Sequence, residues 1–160
     1  MSLVAIRADH NAKEMQIRIS RLEQQSKRAL RHGFFGLGKD LVNTSRELIL
    51  NPPKTGRWYR VAGRKRRHRA SKAGSGQAPA NMTGRLRSSI DYKVQGSYRM
   101  EFGSNPAKNG NTAKTSKYAK VLENGNGRIA RRPYLEPSIK KNARNGRKHF
   151  ERELRKALSK

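Results

Sequence analysis

The chain has 160 residues and is strongly basic, with 38 lysines and arginines against 11 aspartates and glutamates and a formal net charge of +27. It contains no cysteine, which excludes a disulfide framework and thiolate metal sites. Hydrophobic residues make up 33% of the chain, below the roughly 45% of an ordinary soluble domain. We therefore expect one domain over 1–160 with a small core, no signal peptide and no membrane span.

The region from Asp9 to Leu50 has the apolar spacing of an amphipathic helix. Its stripe consists of Met15, Ile19, Leu22, Ala29, Leu37, Leu41 and Leu48. Gly33, Gly36 and Gly38 interrupt this pattern, and each costs about 1 kcal/mol against alanine inside a helix. Two arrangements are open: two helices with a break at these glycines, or one long helix in which they allow close packing. We favour a bend or break, and the prolines after Asn51 then end the helical region.

Between Leu50 and Ile90 the chain has no acidic residue, although lysines and arginines recur throughout. A run of like charges repels itself, so we expect a flexible, extended and solvated arm at about 57–82, with a short strand over 57–61. An external anion must accept the charge: nucleic-acid phosphates, an acidic protein surface or anionic lipid. The residues predicted to make this contact are Arg57, Arg60, Arg64, Lys65, Arg66, Arg67, Arg69 and Lys72.

The next part of the chain has the pattern of a small antiparallel sheet. We predict strands over 86–94 and 98–102, with Gly96-Ser97 as the tight turn between them. Residues 104–115 are rich in Asn, Gly and Lys, and predict a loop.

Two helices complete the chain. A short helix is predicted over 116–124, with Gly125 as its stop. Pro137 suits the first turn of a C-terminal helix, where its missing N–H has no helical partner. The predicted apolar stripe of that helix is Ile139, Ala143, Phe150, Leu154 and Leu158. The order of helices and strands is that of an α+β fold.

Three segments resemble the neck or tail-component proteins of tailed bacteriophages, the tail-completion or minor tail proteins of the lambdoid type. They are Thr83–Ile90, Tyr118–Gly125 and Arg132–Ile139, with the amphipathic helix in its expected place before them. Asn124 and Ser138 depart from the family pattern, in which an apolar residue and an alanine are common. The residues that carry the resemblance are Thr83, Gly84, Leu86, Ser89, Ile90, Tyr118, Ala119, Leu122, Glu123, Gly125, Pro133 and Leu135.

This resemblance implies a virion structural protein that forms a ring at the head–tail junction, a hexamer or alternatively a dodecamer. Its partners would be further copies of itself, the neighbouring head-completion or adaptor and tail-terminator proteins, and genomic DNA in the lumen, with no membrane and no cofactor. It would be located in the virion, and in the host cytoplasm during assembly. The purified chain would be monomeric or weakly associated. The charge alone favours an alternative, a basic nucleic-acid-binding protein of architectural or ribosomal type.

Two roles can be predicted for motif residues. Tyr118 and Leu122, four residues apart, would fix one face of the short helix to the sheet. Glu123 has several cations nearby with which it could pair: Arg128, Arg131 and Arg132.

Catalytic and metal-binding chemistry is not indicated by the sequence. The histidines and aspartates are scattered, without metal-ligand spacing or a paired-carboxylate motif. The glycine-rich segment 33–38 lacks the Lys-Ser/Thr of a phosphate-binding loop. We expect neither an enzyme nor a metal site.

Overall fold

A computed structural model describes residues 3–60, 65, 67–72, 74–81, 83–105 and 113–159, and gives the backbone alone for residues 3–10, 59, 68, 113, 114 and 116. The α+β class predicted from the sequence is confirmed. In chain order the described residues form α1 (Leu3–Leu50), β1 (Trp58–Arg60), β2 (Arg67–Arg69), α2 (Arg85–Ser89), β3 (Ile90–Gln95), β4 (Arg99–Ser104), α3 (Ala113–Asn124) and α4 (Leu135–Leu158).

α1 is a single helix of 48 residues, so the predicted break near Gly33–Gly38 is wrong. A Cβ at Gly33, Gly36 or Gly38 would overlap the ring of Phe150, His149 or Tyr92, respectively. The glycines therefore let α4 and β3 approach the helix backbone closely. This is the second arrangement that the sequence left open, in which packing offsets the low helix propensity of glycine.

β3 and β4 form the predicted antiparallel pair, with Gln95 opposite Arg99 across a turn in which Gly96 has a φ of 62°. The first strand starts later than predicted, because Leu86 lies in the short helix α2 and not in a strand. Gly84 has a φ of 80°, and its carbonyl accepts a hydrogen bond from Ser88 N–H at 2.9 Å. This glycine turns the chain into one helical turn before β3 begins at Ile90.

The core lies where the second half of α1 meets β3, α3 and the start of α4. Its buried residues are Val42, Ile49, Ala78, Ile90, Leu122 and Tyr134. Ala78 belongs to the segment predicted to be a flexible, solvated arm, but its small side chain is buried in this core.

α4 packs antiparallel on the second half of α1 through a contact that we call the α1–α4 seam. On α4 the buried residues are Ser138, Asn142 and Gly146. Ser45 Oγ donates to Ser138 Oγ at 2.8 Å, and Asn142 Nδ2 donates to Thr44 Oγ1 at 2.8 Å. Small and polar side chains thus hold the two helices together.

The apolar stripe predicted for α4 is wrong in most of its members. Ile139, Ala143 and Leu158 are exposed, whereas Phe150 and Leu154 are half-buried. The periodicity identified the most apolar face of the helix, but α4 packs through the neighbouring face, where smaller residues permit closer approach.

The stripe predicted for α1 is divided between two environments. Ala29 and Leu41 are buried, in agreement with the prediction. Met15, Ile19 and Leu22 are exposed, because the C-terminal end of α4 reaches only the level of residues 25–32 on α1.

Candidate nucleic-acid interface

The basic hairpin, formed by β1 and β2, is the main feature of the segment predicted to be an arm. Its strands pair antiparallel, with Trp58 opposite Arg69 and Arg60 opposite Arg67. Residues opposite each other in such a pair, and residues two apart on one strand, share a face. One face of the hairpin therefore carries three arginines and a tryptophan.

The base of the basic hairpin is closed by backbone and side-chain contacts. Gly56 N–H donates to Ala70 C=O at 2.8 Å, and Ala70 N–H donates to Arg57 C=O at 2.9 Å. A Cβ at Gly56 would lie 2.6 Å from Ser71 O, so only glycine fits this crossing. Arg69 Nε donates to Gly56 C=O at 3.1 Å, and its guanidinium lies 5.9 Å from the centroid of the Trp58 ring.

The chain after the hairpin is tied to the core. Gln77 Oε1 accepts hydrogen bonds from Thr55 Oγ1 at 3.1 Å and from Lys72 N–H at 2.9 Å. Ser71 is buried, and Asn81 N–H donates to Ile49 C=O at the end of α1 at 3.1 Å. The expectation of an extended, solvated arm is thus only partly met. The two strands pair and the flank packs on the core, while the mobility of the segment stays a prediction.

The predicted contact residues of this segment are exposed wherever the structure describes them. They are Arg57, Arg60, Lys65, Arg67, Arg69 and Lys72; Arg64 and Arg66 lie outside the described residues. Trp58 is 62% exposed although it is the one tryptophan of the chain. The ion pairs found among the described residues all lie elsewhere. The hairpin thus presents positive charge and an aromatic face to solvent, which suits phosphates and unpaired bases.

The second and third sequence motifs meet at the start of α4. The carboxylate of Glu123 accepts the backbone N–H groups of Tyr134, Leu135 and Glu136 at 2.8, 3.0 and 2.9 Å. These are free donors of the first turn of α4, and a negative charge there also complements the helix dipole. The carboxylate of Glu123 therefore bonds to backbone N–H groups and not to the arginines that we predicted as its partners. Arg131, one of those arginines, pairs with Glu136.

α3 is anchored by Leu122, which is fully buried in the core. Ala119 is buried beside it, and Gly125 ends the helix as predicted, with a φ of 76°. Tyr118 is 47% exposed, so its predicted role as an anchor to the sheet is wrong. A residue four positions from a buried one lies at the edge of the same face, and here that edge is open to solvent.

The first motif enters the core through its last two residues. Ile90 and Ser89 are buried, and Ser89 Oγ lies 2.8 Å from both Leu86 C=O and Ser104 Oγ. Leu86 and Leu135 are partly buried against the core, Pro133 is buried, and Thr83 is exposed. The motif residues thus mainly maintain the fold, whereas the described arginines of the basic hairpin are exposed.

One polar contact had no sequence signal: His149 Nε2 lies 2.8 Å from Asp40 Oδ2, across the α1–α4 seam. The two residues are far apart in the chain, so only the packing of the helices brings them together. Within the described ranges, no group of three His, Asp or Glu residues is placed to hold a metal ion. Among those same residues, no helix combines the length and apolar character needed to cross a membrane.

Comparisons with known protein families, with curated proteins and with solved structures found no match to this chain. The family resemblance therefore depends on the sequence motifs and the order of the helices and strands around them.

Proposed function

We propose that this protein is a virion structural protein of a tailed bacteriophage, and that it forms a ring at the head–tail junction and surrounds the DNA exit channel. The observation that supports this most directly is the joining of the basic hairpin to the motif-bearing core. The three motifs supply the resemblance to neck proteins, and the hairpin supplies a surface for the polyanion that passes through a neck.

In this proposal the work of the protein is assembly and not catalysis. Copies associate through heterologous contacts that close by rotation into a ring of six subunits, or of twelve. The head-completion or adaptor protein would lie on one side of the ring and the tail-terminator protein on the other. Arg60, Arg67 and Arg69 would contact DNA phosphates, and each neutralised phosphate steepens the salt dependence by roughly 0.9 log units per log unit of salt.

A second candidate is a nucleic-acid-binding protein without a virion role, of architectural or ribosomal type. It is favoured by Trp58, whose exposed ring beside the Arg69 guanidinium is a platform on which an unpaired base can stack. The two candidates differ in gene context, since a neck protein is encoded beside genes for portal, major capsid and tail tube.

The hairpin can be tested with Arg57→Gln, Arg60→Gln and Arg67→Gln in one chain. Arg69 is left intact because it also donates to Gly56 C=O. The matched control carries Arg128→Gln, Arg144→Gln and Arg155→Gln, which remove the same charge from other exposed positions. We expect fewer joined particles relative to tailless ones for the hairpin variant, and parental counts for the control.

Salt titrations of duplex DNA and of an acidic polypeptide then identify the partner. If the hairpin binds phosphates, the hairpin variant should flatten the DNA salt slope by about 0.9 for each phosphate that it no longer neutralises. Binding only to the acidic polypeptide would favour a partner ring. Normal joining in the hairpin variant, or a particle map that places the protein away from the neck, would contradict the proposal.

A further inference from the structure

The first half of α1 presents an apolar stripe that the rest of the described chain does not cover. Every residue from 11 to 24 is exposed, and within this range Met15, Ile19 and Leu22 are 64%, 58% and 48% exposed. The backbone of α1 continues as helix to Leu3. We call residues 11–24 the projecting segment.

The stripe on the projecting segment continues the α1–α4 seam. With 3.6 residues per turn, Met15, Ile19 and Leu22 fall within about 60° of one another around the helix. The same sector, further along, holds Gly33 and Asp40, which meet Phe150 and His149 of α4. A helix–helix contact surface therefore extends beyond the end of α4 and lacks a second helix there.

The spacing of this surface is that of a coiled coil. Steps of four and three residues lead from Met15 to Ile19, Leu22, Ser26 and Ala29. Such a repeat keeps one seam facing a partner helix along its length. The large apolar residues of the repeat lie in the projecting segment, where no α4 residue contacts them.

Charge indicates what the partner is. The projecting segment contains Lys13, Arg18 and Arg21 against Glu14 and Glu23, a net charge of +1, whereas the chain as a whole carries +27. Two copies that approach through this segment avoid most of their mutual repulsion. An acidic partner helix would find little excess positive charge here.

The flanking residues also favour one orientation. Arg18 and Glu23 are five residues apart and lie on opposite edges of the stripe. In a parallel, in-register pair of helices, such positions face each other across the interface, so that Arg18 of each copy meets Glu23 of the other. An antiparallel pair would bring like edges together.

We infer that the projecting segment pairs with the same segment of a second copy of this chain, as a parallel two-helix coiled coil. The pair is short and therefore weak, because three large apolar residues per helix form its seam. This inference stands on the projecting segment alone, so it holds or fails independently of the neck assignment.

Cysteine cross-linking of the full-length chain tests the pairing directly, because the chain has no native thiol. Leu22→Cys places one thiol in the proposed seam of each helix, and oxidised glutathione can accept the two electrons released when two thiols join. Ile17→Cys is the matched control, since Ile17 is 52% exposed but lies on the opposite side of the helix. We expect a covalent dimer from Leu22→Cys at a rate at least about tenfold above the control. Equal rates, or no dimer, would overturn the inference.

A charge exchange separates this pairing from a contact with some other surface. Arg18→Glu should weaken association in sedimentation equilibrium, as should Glu23→Arg, and the double exchange should restore it, because the pair is then reversed on both helices. Circular dichroism should show the parental helix content in all three variants. A double variant that associates no better than the single variants would exclude the parallel pair. A wild-type chain that stays monomeric over the whole concentration series would exclude self-association.

Discussion

The two halves of α1 share one stripe but differ in what covers it. In the second half, Gly33, Thr44 and Ser45 lie against α4 at close range through small and polar side chains. In the first half, Met15 and Ile19 are large, apolar and exposed. Burial along one helix therefore depends on what the rest of the chain brings to it. The described part of the chain thus covers the stripe in the second half and leaves its large apolar residues in the first half open.

The largest expected difference between the halves comes from truncating one isoleucine in each. Ile49→Ala should lower the free energy of unfolding by about 2–5 kcal/mol, because Ile49 is fully buried in the core. Ile19→Ala should change it by no more than about 0.5 kcal/mol in the monomer. Urea unfolding at low protein concentration measures both values. Equal losses would mean that the first half is covered in the monomer, and the contrast would disappear.

A second test loosens α4, the element that distinguishes the two halves. Glu123→Ala removes the acceptor of three backbone N–H groups, and we expect a loss of about 3 kcal/mol. The control Glu151→Ala breaks only an exposed pair with Arg147 and should cost less than about 0.5 kcal/mol. Hydrogen exchange should show lower protection at residues 40–49 of α1 in the Glu123→Ala variant, and unchanged protection at residues 11–24. Uniform loss along α1 would show that the halves are not independent.

A third test places an alanine in each half. Gly33→Ala should destabilise by about 1–3 kcal/mol, since its Cβ would overlap the Phe150 ring and this outweighs the roughly 1 kcal/mol gain in helix propensity. Ser20→Ala, in the projecting segment, should stabilise slightly, by less than about 0.5 kcal/mol. Thermal melts compare the two. Stabilisation by Gly33→Ala would mean that Phe150 moves aside easily and that the packing is looser than described.

The smallest expected effect at neutral pH concerns Tyr134, which is buried in the core against the second half of α1. Its Oη is buried and has no hydrogen-bond partner among the described residues, so Tyr134→Phe should stabilise by up to about 1 kcal/mol at neutral pH. Burial, and secondly the charge of Glu123, raises the pKa of Tyr134 well above its usual value of about 10.

The raised pKa of Tyr134 also predicts how the free energy of unfolding changes at alkaline pH. Below pH 10 the hydroxyl is neutral in the folded and the unfolded chain. Above pH 10 only the unfolded chain ionises, so wild-type stability falls by about 1.4 kcal/mol per pH unit through this group. The Tyr134→Phe variant should lack this part of the slope, and Tyr98→Phe, at an exposed tyrosine, should keep it. Parallel pH profiles for wild type and Tyr134→Phe would contradict the burial.

Much of the fold could be predicted because its signals are local. The apolar periodicity predicted α1 and α3, and glycine and proline predicted where they end, at Gly125 and after Asn51. The turn at Gly96 and the place of Pro137 in the first turn of α4 are also confirmed. Each of these depends on the conformational preference of a few neighbouring residues.

Most of the errors concern contacts between distant parts of the chain, although the late start of β3 after α2 is a local one. Gly33 indicates a helix break in the sequence, and only its contact with Phe150 shows that it permits close packing. Glu123 has arginines nearby in the sequence, but the fold places the first backbone N–H groups of α4 beside its carboxylate. Charge alone predicts a contact surface among the arginines at 57–72. Their arrangement on one face with Trp58 depends on a strand register that no local pattern specifies.

The unbroken length of α1 has a mechanical consequence. At 1.5 Å per residue, about 45 Å of helix separates Ile19 from the end of α1 at Leu50, where the chain turns towards the basic hairpin. A stiff helix of that length acts as a spacer. A force applied at one end is therefore transmitted to the other end, which a flexible linker would not do. It would also keep a second copy, paired at one end as proposed, from crowding a polyanion bound at the other.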